Sequence, residues 1–348
     1  MKIAQLLFFI ILFSPLIYSQ NQEIKSPNIQ DSTLFPVREE KVNTNKKNKT
    51  KGATKNSDLN SIYRNTQYQN NQKNLSPAQK SEIEPLIEDL KDNQTYEYSF
   101  YSYVFSDFSK DYFSHLINAK KLNPKVKELD YYFVYHYVIY PNKEKKIEHL
   151  QLLYNNQLID DELIKYAKHL LYSVEQSAYL LIHGKDDFLP LLYVQDVLQL
   201  RKDVKLISLD LLRNEDYKQK WRGEGLNIPN QKVVDTQFFK EMMQNNSNKS
   251  IQISLTVPTN YIEKLNSNWY FKGLSIATQN SSFSNKNIYD ILIKDKDFYY
   301  FNKTKTKKIS SNYLPFLILL SEEYSNQNQN EKVQKINEII EKIKIQCD

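Results

Sequence analysis

Residues 178–183 form a short apolar run that stops at Gly184, the form of a buried strand closing in a turn. Lys185, Asp186 and Asp187 follow, and residues 188–200 then carry Leu191, Leu192, Val194, Gln195, Val197 and Leu198 at helical spacing. After 201–203, residues 204–212 are a second apolar run. Strand, helix and strand joined by connections this short make one right-handed parallel βαβ unit. Such a unit opens its ligand crevice at the carboxyl ends of the strands. The pattern therefore sets His183, Gly184, Lys185, Asp186, Asp187, Asp210 and Asn214 along one candidate ligand rim. The plainer reading of Asp186 and Asp187 is that one caps the following helix and the other favours its positive end.

The stretch before this unit, residues 85–174, has no glycine and is rich in Tyr, Phe, Leu and Ile at helical spacing. Offset by 34 it overlays itself: Tyr101 on Tyr135, Tyr103 on Tyr137, Val104 on Val138, His115 on His149 and Leu116 on Leu150. That period belongs to helix-turn-helix repeats of the tetratricopeptide kind. The first unit has Tyr103, Ala119 and Pro124 at the aromatic, small and turn positions; the second keeps Tyr137 but has Leu153 and Leu158 at the other two. The spacing predicts helices near 96–106, 110–122, 126–140, 143–154 and 160–173, the last capped by Asp160. The aromatic density at Tyr131, Tyr132, Phe133, Tyr135 and Tyr137 is expected to serve packing rather than a sugar-stacking surface. His115 and His149 hold equivalent repeat positions and are expected to pack, since no local spacing supplies carboxylates for a metal site.

Charge separates the N-terminus from the rest. Lys2, the apolar residues 6–12 and a small-residue-rich exit near Ser19 read as a secretory signal over residues 1–19, with an apolar run shorter than the roughly 20 residues a spanning helix needs. Residues 20–85 read as a disordered Asn- and Lys-rich linker. Between 21 and 80 there are eleven basic and five acidic residues, whereas from 81 onward there are 35 basic and 36 acidic, so the net charge of +6 belongs to the tail. A near-neutral folded part argues against nucleic acid as a partner. The tail lysines, Lys46, Lys47, Lys49, Lys51 and Lys55 among them, read as a solvated spacer.

Other chemistry is narrowed by what is missing. With one cysteine, Cys347, no intrachain disulfide or cysteine zinc site can form, and with 5 glycines no glycine-rich phosphate loop is present. There is no His-Glu-x-x-His and no Gly-x-Ser-x-Gly. Beyond the βαβ unit the pattern predicts a helix over 235–244, strands over 250–257 and 269–277, a basic turn at 302–308 and helices over 313–323 and 331–345. The last carries Val333, Ile336, Ile339, Ile340 and Ile343 on its buried side.

The run Gly184-Lys185-Asp186-Asp187-Phe188-Leu189-Pro190-Leu191-Leu192-Tyr193-Val194-Gln195, followed by Arg201-Lys202-Asp203-Val204 and residues 209–212, resembles a known pattern. It is similar to the soluble C-terminal region of a Bacteroidetes family of multi-spanning membrane proteins, described as C-type glycosyltransferase or protein O-mannosyltransferase-like. Gly184, Asp187, Pro190, Leu191, Tyr193, Gln195, Arg201, Asp203 and Val204 match. Lys185, Phe188 and Leu192 stand where that family has Asp, Thr and Trp. The resemblance implies an appended soluble domain whose catalytic, membrane-spanning half is absent.

These readings combine into a mixed α/β chain of TPR-like helical hairpins (86–174) packed with a small α/β unit (175–300) that contains the parallel βαβ element, and a helical C-terminal hairpin (301–348). The expected function is a non-catalytic periplasmic or cell-envelope interaction or scaffold protein with an envelope protein partner. The alternative is a glycan-binding or carbohydrate-active accessory protein using the rim. No cofactor, no metal, no nucleic acid and no membrane span in the mature chain are expected.

Overall fold

The computed structural model describes residues 77–347, apart from 264, 266–268, 280–282 and 304–305. The expected signal at 1–19 and the linker as far as 76 lie outside the described residues. The linker was expected to reach residue 85, yet helix α1 (Pro77–Glu88) begins before that boundary and buries Ile83.

Five further helices follow: α2 (Tyr96–Phe105), α3 (Phe113–Leu122), α4 (Leu129–Ile139), α5 (Lys143–Asn155) and α6 (Asp161–Tyr172). The starts of α2, α5 and α6 are set by side chains that accept first-turn amides. Thr95 takes that of Tyr98 at 3.1 Å, Asn142 that of Lys145 at 3.0 Å and Asp160, as expected, that of Leu163 at 3.0 Å. Consecutive helices pack in pairs, α2 on α3 and α4 on α5. Leu116 and Leu150 are both fully buried, as are Ala119 and Leu153.

Helix α4 is enclosed on nearly every side, burying Tyr131, Phe133, Val134, Tyr135, His136, Val138 and Ile139. An amphipathic surface helix would bury one stripe only. The second cover is the α/β unit, where the Phe188 ring meets Tyr135 at 6.1 Å. Polar groups reinforce that seam: Tyr140 donates to Asp216 at 2.7 Å, Asn214 Nδ2 donates to the Asp107 carbonyl at 2.8 Å, and the Arg213 guanidinium lies 4.2 Å from the Phe108 ring centre. Buried apolar side chains form one continuous cluster from Ile83 to Ile343.

The α/β unit runs β1 (Tyr179–Ile182), α7 (Lys185–Leu192), β2 (Lys205–Ser208), α8 (Glu215–Gly223), α9 (Thr236–Asn245), β3 (Ile251–Ser254), α10 (Thr259–Ile262), β4 (Tyr270–Lys272) and β5 (Ser275–Ala277). The sheet order is β2-β1-β3-β5-β4. Strand β1 pairs in parallel with both β2 and β3, while β5 is antiparallel to β3 and to β4. The chain closes with α11 (Asn285–Leu292), α12 (Leu314–Asn326) and α13 (Asn330–Cys347). Ile336, Ile340 and Ile343 of α13 are buried, and Val333 and Ile339 pack partly covered at the margin of the core.

Several sequence expectations change. The helix expected from 188 starts at Lys185 and gives way at Tyr193–Val197 to a single π-helical turn. The strand expected over 204–212 stops at Ser208, and a 3-10 turn at Leu211–Arg213 takes over. The single strand expected over 269–277 is a hairpin, β4 and β5, turning at Gly273 with φ +54°. A Cβ at Gly273 would lie 2.2 Å from Ser173 Oγ, so glycine is required there twice over.

Truncating Leu116 or Leu150 to Ala should destabilise by about 2 to 5 kcal/mol, read as a fall in urea midpoint with the slope unchanged. A change below about half a kcal/mol at both would mean that neither hairpin contributes to the core. A fragment beginning at residue 161 should lose the cover over Phe188. It should bind a hydrophobic dye and lack the cooperative transition of the 77–348 chain, and equal cooperativity of the two would contradict the shared core.

Candidate functional site

The order β2-β1-β3 decides where a crevice can form. The crossover from β1 to β2 moves one way along the sheet, and the return from β2 to β3 passes β1 to its other side. Crossovers between parallel strands are right-handed as a rule, and with this order that hand sends the two connections to opposite faces of the sheet. Sheets wound in this order bind ligands where β1 and the strand on its far side diverge, outside their carboxyl ends. Here that point lies between the residues after β1, His183 and Gly184, and those after β3, Leu255 and Thr256, with Asp210 beyond β2.

Gly184 turns the chain at φ +89°, and its amide donates to Asp210 Oδ2 at 2.7 Å. The other carboxylate oxygen of Asp210 stands 3.9 Å from His183 Nε2, and the His183 ring lies 6.4 Å from that of Tyr261. The Tyr261 hydroxyl donates to the Val234 carbonyl at 3.0 Å. Its phenol is pushed above the ordinary range by burial first, then by the negative charge of Asp210 and Asp235.

Asp187 was expected to accept amides of its own helix. The structure gives it a side-chain donor across the switch point, the Thr256 hydroxyl, with the Ser254 hydroxyl 3.5 Å away. Ser254 and Thr256 also share a hydrogen bond of 2.7 Å. Asp187 thus ties the first turn of α7 to the end of β3. Lys185 extends its ammonium to 4.6 Å from the Tyr131 ring centre on α4, a cation–π contact, and Asp186 is exposed beside it. Burial, then the charge of Asp186, raises the Tyr131 phenol.

Asn214 does not line the rim. The 3-10 turn after β2 carries it to the start of α8, where its Oδ1 accepts the Tyr217 amide at 2.9 Å and its amide nitrogen reaches Asp107. It is a cap and a tether, buried in both roles. The seven candidates therefore separate into His183, Gly184 and Asp210 on one side of the switch point, Asp187 across it, Lys185 and Asp186 at the α4 margin, and Asn214 outside. Ser254, Thr256 and Tyr261 were not read as site residues. The strand carrying the first was foreseen, but its parallel pairing with β1 was not.

The remaining residues of the matched motif hold the fold. Gln195, in the π turn, donates through Nε2 to the carbonyls of Arg201 at 2.7 Å and Val204 at 2.8 Å. Arg201 grips Asp203 in a two-pronged pair, both bonds 2.9 Å, and donates to the carbonyls of Leu171 at 2.5 Å and Val174 at 3.0 Å. Those carbonyls belong to the end of α6, which the guanidinium caps. The Arg201 bond also holds the Asp203 carboxyl below its usual range.

The histidines of the helical layer are engaged in packing. His136 stacks on Phe113 at 3.6 Å and bonds the Tyr103 hydroxyl at 3.1 Å, and burial, then Lys110, pushes it down to about 4. His149 stacks on Phe133 at 4.5 Å and bonds Asp130 at 2.8 Å, while His115 stacks on Tyr112 at 5.6 Å. Among the described residues, no group of three or more His, Cys, Asp or Glu could hold a metal ion. A groove of about 610 Å³ lies between α12 and α13, lined by Ile318, Glu322, Val333, Ile340 and Lys344 among others, and none of its lining residues belongs to the rim.

No helix among the described residues is long and apolar enough to cross a membrane. No curated protein and no solved structure matches the chain. The family model of TMEM260-associated domain 2 matches residues 163–348, a span that starts inside α6 and takes in the Arg201 clamp, the whole sheet with its switch point, and the C-terminal helices. The chain belongs to the family defined by TMEM260-associated domain 2.

Proposed function

We propose that the protein is a non-catalytic component of the cell envelope, exported by the signal at residues 1–19, that works by binding an envelope protein partner. The observation that carries this reading is the commitment of the rim carboxylates: Asp187 is held by the Thr256 hydroxyl and Asp210 by the Gly184 amide. Both fasten loops at the one place where the topology would open a crevice. The likeness of residues 184–204 to the soluble region of membrane glycosyltransferase-like proteins supports an accessory role beside such a system. The pairs α2 with α3 and α4 with α5 are read as two degenerate tetratricopeptide-like hairpins, supported by the full burial of Leu116, Leu150, Ala119 and Leu153 at the offset of 34. Because Phe188 packs on the Tyr135 side of α4, these hairpins contribute rigidity rather than an open peptide groove.

The second reading is glycan binding at the switch point. His183, Asp210 and Tyr261 favour it, since they gather beside the diverging ends of β1 and β3.

Asp187 separates the two. Asp187→Asn keeps an oxygen that can accept from Thr256 and Ser254, so the melting temperature and capture of the partner from envelope extracts should both stay close to wild type. Asp187→Ala leaves partly buried hydroxyls without that acceptor and should destabilise by about 1 to 3 kcal/mol. If Asp187→Asn instead abolishes binding to oligosaccharides or partner while the melting temperature holds, the charge is functional and the glycan reading replaces the scaffold one.

A further inference from the structure

His169, on the last turn of α6, is buried with both ring nitrogens engaged. Nδ1 lies 2.8 Å from the hydroxyl of Tyr313, and Nε2 lies 3.1 Å from Asp295 Oδ2. Tyr313, fully buried, immediately precedes α12; Asp295, half exposed, follows α11. One imidazole thus joins three segments that are distant in sequence. A second bond reinforces the same seam, Asn312 Nδ2 to the Tyr166 hydroxyl at 2.9 Å.

The donors and acceptors fix the tautomer. An ionised carboxylate only accepts, so Nε2 carries the hydrogen towards Asp295, and Nδ1 accepts the hydrogen of Tyr313. A second proton would have to enter at Nδ1. The bond to Tyr313 would then reverse, and the tyrosine hydrogen would need a new acceptor inside the core, at the desolvation penalty of a buried polar group. The charged and titratable groups facing the ring are Asp295 and Tyr313 across the seam, with Lys165 and Lys168 on its own helix.

We propose that His169 is an acid-sensitive pin: neutral, it fastens α12 and α13 to α6, and on taking up a proton it loosens that hairpin ahead of the rest of the core. Loosening would uncover the faces carrying Phe316, Leu317 and Leu320, a surface closed at neutral pH. Burial pushes the imidazole down to about 4, an effect that Asp295 only partly offsets. Its value in the folded state lies below the unfolded one, near 6.5. The neutral pin's contribution is therefore complete above about pH 6.5, lost progressively as pH falls towards 4, and constant below that.

The test is hydrogen exchange of the full chain at pH 7 and pH 4.5, corrected for intrinsic rates, with β1 as the internal reference. With 6.5 unfolded and about 4 folded, the linkage gives roughly a 60-fold rise in opening of α12 and α13 between pH 7 and pH 4.5. Strand β1 should change less. His169→Gln should remove this difference; His136→Gln, on α4 and away from the hairpin, should leave it in place. Nitrogen-15 imidazole shifts of wild type should show His169 titrating well below 6, which also decides the matter if His169→Gln does not fold. The proposal is overturned if hairpin and β1 respond equally, if His169→Gln keeps the difference, or if His169 titrates near 6.5.

Discussion

The Arg201 guanidinium gathers in one place the carbonyls of Leu171, Val174 and Glu175 and the carboxylate of Asp203. The end of α6 is thereby joined to the turn that feeds β2. Asp203 passes the connection on by accepting the Ser177 amide at 3.2 Å, just before β1. Helix and both strands are thus oriented from a single planar group whose fork of donors suits carbonyls and carboxylate together; an ammonium could satisfy only part of that set. Gln195 holds the Arg201 carbonyl itself, which steadies the residue at φ +47°, a backbone conformation that a side chain rarely adopts. With α6 placed, His169 and Tyr166 stand where the C-terminal segments can bond to them, and the hairpin of α12 and α13 has its seat.

That dependence explains which parts of the molecule were legible in the sequence. Helices α2 to α6 and the β1-α7-β2 unit are local: their apolar period, their caps and their short joins all lie within a few residues of one another. The rim was legible only as far as topology follows from adjacent elements. His183, Gly184 and Asp210 belong to neighbouring strands of one βαβ unit and do meet. The partners of Asp187 are Ser254 and Thr256, more than sixty residues away, at the end of and just beyond a strand whose place beside β1 no local pattern announces. Asn214 was misplaced for a different reason. The strand ends at Ser208 rather than 212, so the 3-10 turn moves it from the crevice to a helix cap. In 269–277 the alternation continued through Gly273, and only the Ser173 contact makes clear why the chain must turn there.

Histidine usage in this chain follows burial rather than chemistry. His136, His149 and His169 each sit against aromatic rings, and each bonds a hydroxyl or carboxylate from another segment. Burial lowers His136 and His169, and a neutral imidazole offers one donor and one acceptor on a flat apolar body, which lets these two cross-link packed helices without adding a positive charge to the core. The aromatic density of the helical layer has the same explanation. Its rings meet edge to face or stacked at 5 to 6 Å across helices, as Phe100 does with Tyr132 at 5.0 Å and Phe113 with Tyr137 at 5.9 Å.

The positions at which the rim departs from the pattern it resembles are informative in this light. Where that pattern has Asp and Thr, this chain has Lys185 and Phe188, and both reach the helical layer: Lys185 the Tyr131 ring, Phe188 the Tyr135 ring. An acid at 185 would bring its charge towards the electron-rich face of Tyr131 beside Asp186, and a threonine at 188 would leave a void in a position now almost wholly buried. The residues that match, Gly184, Asp187, Gln195, Arg201 and Asp203, bond within the α/β unit and to the end of α6. The motif thus divides by what each residue touches. Its matching part holds the sheet and its crossovers, and its departing part at Lys185 and Phe188 seals α4 against the edge of the crevice.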